Sequence, residues 1–249
     1  GFPVFKATAP YFLKSWDVTV IDKNEQRLNQ AKTIGDINTE DSLPSGIDIL
    51  FLGVRPQDLP NISLSTSSPS LIISMMAGVS CAEINKYFPK SAVVRCMPNT
   101  PCEFGVGITP IYYTGEPNSN YSSFIESAQY LGELFFVGEE HLIDSATGIS
   151  GGGPAYIMVI AEAMIKASEK LGFSYSDSKR LVGKTLEGSG KLLQLSNKLP
   201  ETLAQDVMTP NGTTEQGVNE LKKQNVDIAI HDALLKASHK AEDMSDPTN

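Results

Sequence analysis

The pattern of the chain changes once, at Gly151-Gly152-Gly153-Pro154, and that change limits the folds open to it. Before this point, short apolar runs alternate with segments of helical period. After it the apolar stripes recur only at helical spacing. Residues 18–21 (Val-Thr-Val-Ile), 48–54 (Asp-Ile-Leu-Phe-Leu-Gly-Val), 71–76 and 91–97 read as strands, with 108–113 and 134–137 closing the set. Near-continuous apolar runs are expected of strands covered on both faces. A helix is expected over 25–32. Strands alternating with helices predict a parallel, doubly wound α/β sheet.

The second half reads as helices alone. Residues 155–171 are apolar almost all round, with Glu162, Lys166, Glu169 and Lys170 as the few charges. A helix of that kind is buried against other helices or a partner subunit. Residues 177–196 form a second long helix with Ser176 as its expected N-cap. Three more are expected over 200–208, 214–223 and 226–244, with a frayed polar tail beyond. The boundary falls near 144–150 and divides 1–147 from 148–249.

Composition excludes several partners. A net charge of −9 opposes binding to nucleic acid or an anionic membrane surface. It leaves room for an anionic small substrate in a locally positive site. No uninterrupted apolar run approaches the roughly 20 residues that span a bilayer. Lys6, Pro10 and Lys14 interrupt any signal-peptide core. Cys81, Cys96 and Cys102 lack metal-ligand spacing and read as reduced thiols of a cytoplasmic protein.

Five polar, glycine- and proline-rich segments carry the candidate chemistry. Val54-Arg55-Pro56-Gln57, Met76-Ala77-Gly78-Val79 and Met97-Pro98-Asn99-Thr100-Pro101 each follow a strand. In open α/β sheets ligands bind outside the carboxyl ends of strands, so these three ends are expected to line one crevice. Ser150-Gly151-Gly152-Gly153-Pro154-Ala155-Tyr156 precedes a long helix. It reads either as an interdomain hinge or as a close approach for a ligand to open helix N–H groups. Met208-Thr209-Pro210-Asn211-Gly212-Thr213-Thr214 is a turn followed by a helix. Taken alone it reads first as a helix start capped by Thr213 or Thr214, and second as a nest of donors for a carboxylate.

In this order, the five segments resemble the pyrroline-5-carboxylate reductase family over about residues 18–244. Four departures stand out. Arg55 replaces a Lys, Gly152 a Ser, Met208-Thr209 a Thr-Ser pair and Asn211 a Gly, while Thr209 keeps its hydroxyl. The resemblance implies an N-terminal Rossmann-like doubly wound domain followed by an all-helical C-terminal dimerisation and substrate domain. It implies reduction of 1-pyrroline-5-carboxylate to L-proline with NADPH or NADH, and a homodimer or larger homo-oligomer.

The implied catalytic residue is Thr214, whose hydroxyl would meet the ring nitrogen. Thr209, Gly212 and Thr213 would hold the substrate carboxylate, with Gly153 and Pro154 beside the substrate. Asp22, Lys23, Val54, Arg55, Pro56, Ala77, Gly78 and Asn99 would bind the cofactor. Asp22 at a strand end suits a ribose 2′-hydroxyl, whereas Lys23 and Asn24 suit a phosphate, and both cofactors stay open. His141, His231 and His239 are expected to be surface or packing residues.

A dinucleotide fold ordinarily opens with a G-x-G-x-x-G turn, yet no glycine lies between Gly1 and Gly35. The expectation is that part of the first βα unit is missing from this sequence, with Gly1-Phe2 the remnant of its strand and residues 4–13 in its helix. Two alternatives remain. One is another imine or β-hydroxyacid-type dehydrogenase of similar architecture, against which Lys166 and Lys170 lie too far along their helix. The other is a catalytically inactive NAD(P)-binding protein.

Overall fold

The computed structural model describes residues 2–62 and 68–244. Gly1 and the tail expected to fray after Met244 lie outside them. The chain divides into two compact units, Gly1–Pro154 with Leu235–Asn249, and Ala155–Leu234.

The first unit opens with helix α1 (Phe2–Phe12), so Phe2 is helical and not the end of a strand. Strand β1 (Val18–Val20) leads into α2 (Glu25–Lys32), and β2 (Ile37–Thr39) pairs with β1 in parallel. The sequence reading missed β2, whose residues Ile-Asn-Thr carry one apolar side chain and form no apolar run. Then come β3 (Ile49–Leu52), β4 (Leu71–Ser74), α3 (Cys81–Tyr87), β5 (Ala92–Cys96), β6 (Gly107–Tyr113), α4 (Ser119–Ala128), β7 (Gly132–Phe136) and α5 (His141–Ala146). Strands β3 to β7 form a second sheet in chain order. It is not wholly parallel, because β6 runs antiparallel to β5. Residues 97–106 join them, which is shorter than the dozen or so residues of a parallel crossover.

The near-continuous apolar strands are explained by cover on both faces. Successive side chains point to opposite faces. Leu71, Ile73, Val94 and Cys96 join Phe12 and Phe124 in one core, under α1 and α4. Ile72 and Val93 join Leu52, Leu59, Ile84 and Phe88 in the other, under α3 and the 3-10 turn Pro56–Asn61. Each fully buried aliphatic side chain contributes roughly 1.5–3 kcal/mol. This is the doubly wound arrangement expected of the first half.

The helical half begins inside a longer helical run. A π-turn, Thr147–Gly151, links α5 to α6 (Gly153–Lys170), and the Gly152 N–H donates to the Thr147 carbonyl at 2.9 Å. The run His141–Lys170 contains an 18-residue window of mean hydropathy 1.3, long and apolar enough in length and composition to cross a membrane. This amends the expectation from uninterrupted apolar runs, since a few charges within a helix do not lower its average far. In the second unit, α6 continues into α7 (Tyr175–Leu195), α8 (Pro200–Val207) and α9 (Thr213–Lys223). The N-cap of α7 is Ser174, not Ser176: its Oγ accepts from the Asp177 N–H at 3.1 Å.

Helix α10 (Val226–Asp243) begins in the second unit, but its last turns belong to the first. The division read from the sequence, 1–147 and 148–249, does not foresee this. Two glycines permit it. A Cβ on Gly78, whose φ is +71°, would stand 2.7 Å from the Met244 backbone. One on Gly148 would overlap Ser238, whose Oγ donates to the Ser145 carbonyl at 3.1 Å.

Gly148→Val should therefore lower stability by about 1–3 kcal/mol, because the close Ser238 atoms include backbone that cannot swing aside. Gly138→Ala, with nothing within 4 Å of its added methyl, should stay within about 0.5 kcal/mol of the parent. Urea unfolding of both variants checks the difference.

Candidate functional site

The first unit presents a row of strand ends. Asp22 follows β1. Its Oδ1 accepts from the Asn24 N–H at 2.8 Å, and its Oδ2 from Arg27 Nη1 at 3.4 Å. Asn24 caps α2 by accepting from Gln26 N and Arg27 N. Lys23 is exposed beside them. After β3, Val54 and Arg55 are exposed, and Pro56 starts a 3-10 turn. The Arg55 guanidinium pairs with Asp58 at 2.9 Å.

After β4, Ala77 is half-buried and Gly78 buried. The Gly78 N–H is already engaged, donating to Asp144 Oδ1 at 3.0 Å. Asp144 belongs to a buried ion cluster centred on Arg95, the one charged residue in the apolar run of β5. Arg95 is 2% exposed. Its Nη2 donates to Asp144 Oδ1 at 2.7 Å, and its Nη1 to Asp144 Oδ2 at 3.3 Å and Glu140 Oε1 at 3.1 Å. Glu140 Oε1 also accepts from the Cys81 N–H at 2.6 Å, at the start of α3. Burial pulls the Arg95 pKa down, but the Asp144 and Glu140 carboxylates outweigh it and the net direction is upward. The sequence reading did not find this cluster. Its only signal was an arginine inside an apolar strand, which demands a buried acid without saying where the acid lies.

Asn99 is buried at the end of β5, and its amide is largely occupied by structure. Its oxygen accepts from the Ile108 N–H at 3.1 Å, and Nδ2 donates to the Ser150 carbonyl at 3.2 Å. The second bond has a simple cause. In an α-helix the Ser150 carbonyl would accept from residue 154, which is a proline without an N–H. Asn99 supplies the missing donor, and its second amide hydrogen has no partner among the described residues. The π-turn, a feature frequent at functional sites, covers Thr147–Gly151; Gly152 ends it, and Gly153 and Pro154 open α6. A Cβ on Gly153 would meet nothing within 4 Å, so that position is open.

The second unit holds the other candidate, the turn Thr209 to Thr214. Asn211 adopts a left-handed φ of 57°, which Asn tolerates better than most residues and which accounts for its exchange with Gly. The Gly212 N–H donates to the Thr209 carbonyl at 2.8 Å, and the Asn211 N–H to Glu215 Oε2 at 2.7 Å. The Gly212 N–H is therefore not available to a carboxylate. The N-cap of α9 is Gly212, with no side-chain cap. Neither Thr213 nor Thr214 caps the helix, which removes the simplest structural use of their hydroxyls. Both are exposed, and among the described residues neither their hydroxyls nor their N–H groups have a partner. Two N–H groups and two hydroxyls at a helix start suit an anion.

Other reactive groups lie elsewhere. His141, His231 and His239 are exposed on α5 and α10. Burial, then the Glu140 charge, pushes the Cys81 thiol up to about 12, and burial beside Cys102 does the same for Cys96. These thiols are protonated and inert at neutral pH. Lys166 is exposed and pairs with Glu162 one turn away.

Comparison with known proteins adds the family. Residues 140–244 match the model described as pyrroline-5-carboxylate reductase dimerisation. The chain is 32% identical over 239 residues to pyrroline-5-carboxylate reductase 3 of Xenopus laevis, covering 92% of this chain and 86% of that protein. It is 31% identical over 244 residues to the pyrroline-5-carboxylate reductase of Synechocystis sp., covering 96% and 84%. Among solved structures, the Plasmodium falciparum pyrroline carboxylate reductase with NADP bound superposes with a TM-score of 0.85. The identity is 25%, with 99% of this chain and 95% of that one covered.

The Arg95 cluster makes a sharp stability prediction. Asp144→Ala should cost about 3–5 kcal/mol, because it strips a buried guanidinium of its main partner. The double replacement Arg95→Met with Asp144→Leu should cost clearly less, since no unpaired charge remains inside. Chemical denaturation of the two variants, with unchanged m, is the check.

Proposed function

The chain belongs to the pyrroline-5-carboxylate reductase family, and from that premise we propose that it reduces 1-pyrroline-5-carboxylate to L-proline with NADPH or NADH. The observation that carries this reading in the molecule itself is the start of α9, where Thr213 and Thr214 offer unpartnered donors and no capping role. In this reading their N–H groups hold the substrate carboxylate, with the Thr209 hydroxyl assisting; Gly212 shapes the turn without donating its N–H. The Thr214 hydroxyl meets the ring nitrogen and is the catalytic residue. Its oxygen accepts from the protonated imine N–H and keeps the electrophilic carbon oriented. Gly153 and Pro154 are assigned to the substrate because Gly153 is open to close approach.

Bound reduced nicotinamide supplies the hydride; the chain's part is to hold and orient. The strand ends fit such a cofactor by their polar groups: Lys23 and Arg55 offer exposed cations, Asn99 one amide hydrogen, and Asp22 a carboxylate that accepts. Val54, Pro56, Ala77 and Gly78 shape the backbone that would lie against it. The Gly78 N–H acts only through Asp144, by fixing the loop. Residues 1–147 serve the cofactor in this reading, and 148–249 the substrate and dimerisation.

The apolar second unit is read as half of a homodimer. Met158, Val159, Leu171, Leu195 and Leu199 are all more than 60% exposed in one chain. The run His141–Lys170 is only 11% buried in its most apolar window. The match to a dimerisation model over 140–244 favours a second copy, not a membrane or nucleic acid, as what covers it. A cytoplasmic setting agrees with three free, buried thiols.

Proline formation from 1-pyrroline-5-carboxylate with each cofactor is the direct assay, and its absence with both would sink the reading. Thr214→Val should lower kcat/KM by about five- to 100-fold, the equivalent of one lost hydrogen bond, with the melting temperature little changed. Equal efficiency in the variant would remove Thr214 from the chemistry. Met164→Glu should dissociate or unfold the protein, since an unpaired carboxylate in an obligate interface costs several kcal/mol. Light scattering at micromolar concentration reads this out; an active wild-type monomer would defeat the dimer.

A further inference from the structure

The strand end given above to the adenosine ribose carries a charge pair with little structural purpose. Asp22 and Arg27 are 28% and 54% exposed and meet at 3.4 Å. An exposed pair of that length contributes about 0–1 kcal/mol to stability. The local backbone does not need it. Asn24 caps α2, and the Asn24 N–H is held by the other oxygen of Asp22. Arg27 is the third residue of α2, so its guanidinium reaches back to the residue that ends the β1 segment.

The pair alters what that end can accept. A free carboxylate after this strand takes the ribose 2′-hydroxyl and repels a 2′-phosphate. Here the nearby charges balance: Asp22 and Glu25 are negative, Lys23 and Arg27 positive. The Asp22 charge is cancelled by a cation on a long, exposed side chain. A guanidinium binds a phosphate dianion through two parallel hydrogen bonds, more strongly than it binds a solvated carboxylate at one long contact.

We propose that Arg27 sets the cofactor preference of this chain by exchanging Asp22 for the 2′-phosphate of NADPH. With NADH, Arg27 stays on Asp22, and the carboxylate accepts the 2′-hydroxyl through its remaining lone pairs. One side chain thus lets a strand that ends in an acid accept both cofactors and favour the phosphorylated one. This inference rests on the reading that Asp22 meets the adenosine ribose.

The test compares wild type, Arg27→Gln, Asp22→Asn and Lys23→Gln. For NADPH and NADH it measures kcat/KM and, independently of turnover, the dissociation constant by calorimetry. Arg27→Gln should lower the NADPH-to-NADH ratio about tenfold or more, through KM and Kd rather than kcat, and should weaken the salt dependence of NADPH binding. Asp22→Asn should move the ratio the opposite way. If Arg27→Gln weakens both cofactors by the same factor, Arg27 only props up the loop and the proposal falls. If Asp22→Asn or Lys23→Gln shifts the ratio while Arg27→Gln does not, the ribose location stands and Arg27 is excluded. If no variant shifts it, the ribose is read elsewhere, and both the location and the inference fail.

Discussion

The first unit depends on one buried cation. Arg95 projects from a central strand and is almost wholly buried, and a guanidinium there is tolerable only when acids surround it. Asp144 and Glu140 meet that need from α5, and in doing so they fix more than a charge. Asp144 also holds the Gly78 N–H, and Glu140 holds the Cys81 N–H at the start of α3. One strand, one strand-end loop and two helices are thereby tied to a single point. Buried pairs of this kind contribute little net stability against a well-packed apolar alternative. What this one contributes is placement, since α5 leads directly into the π-turn and the glycine segment.

That segment shows how a local defect is repaired from a distance. Pro154 deprives the Ser150 carbonyl of its helical donor, and an uncompensated buried carbonyl would cost a lost hydrogen bond. Asn99, 51 residues earlier, supplies the donor. The Met97-Pro98-Asn99 loop and the Gly151-Gly152-Gly153-Pro154 run are therefore parts of one arrangement, although the sequence presents them as separate motifs. The same economy governs the Thr209–Thr214 turn. The Asn211 and Gly212 N–H groups close the turn internally, and among the described residues the Thr213 and Thr214 N–H groups have no partner.

The two halves bury their apolar surface differently. Strands β4 and β5 place successive residues in two cores of the same chain. Helices α6 and α7 leave Ile157, Met158, Val159, Leu192 and Leu193 exposed in one chain. The first half completes its core alone, whereas the second has stripes without cover, which fits the dimerisation model it matches.

Much of this was legible in the residues. Short β-branched runs against long helical stripes determined a covered sheet followed by helices, because side-chain period is a local property of the backbone. Five motifs in order determined the family and picked out the strand ends and the Thr213-Thr214 turn. Tertiary structure alone decided the rest. It made β6 antiparallel, carried the end of α10 back against Gly78 and Gly148, paired Arg95 with acids 45 and 49 residues away, and bound Arg27 to Asp22. It also moved the α9 cap to Gly212 and so left both threonine hydroxyls open. Periodicity reports which face of an element is apolar. It does not report which carbonyl lacks a donor or which acid meets a buried cation, because those partners are chosen by three-dimensional approach and not by spacing along the chain.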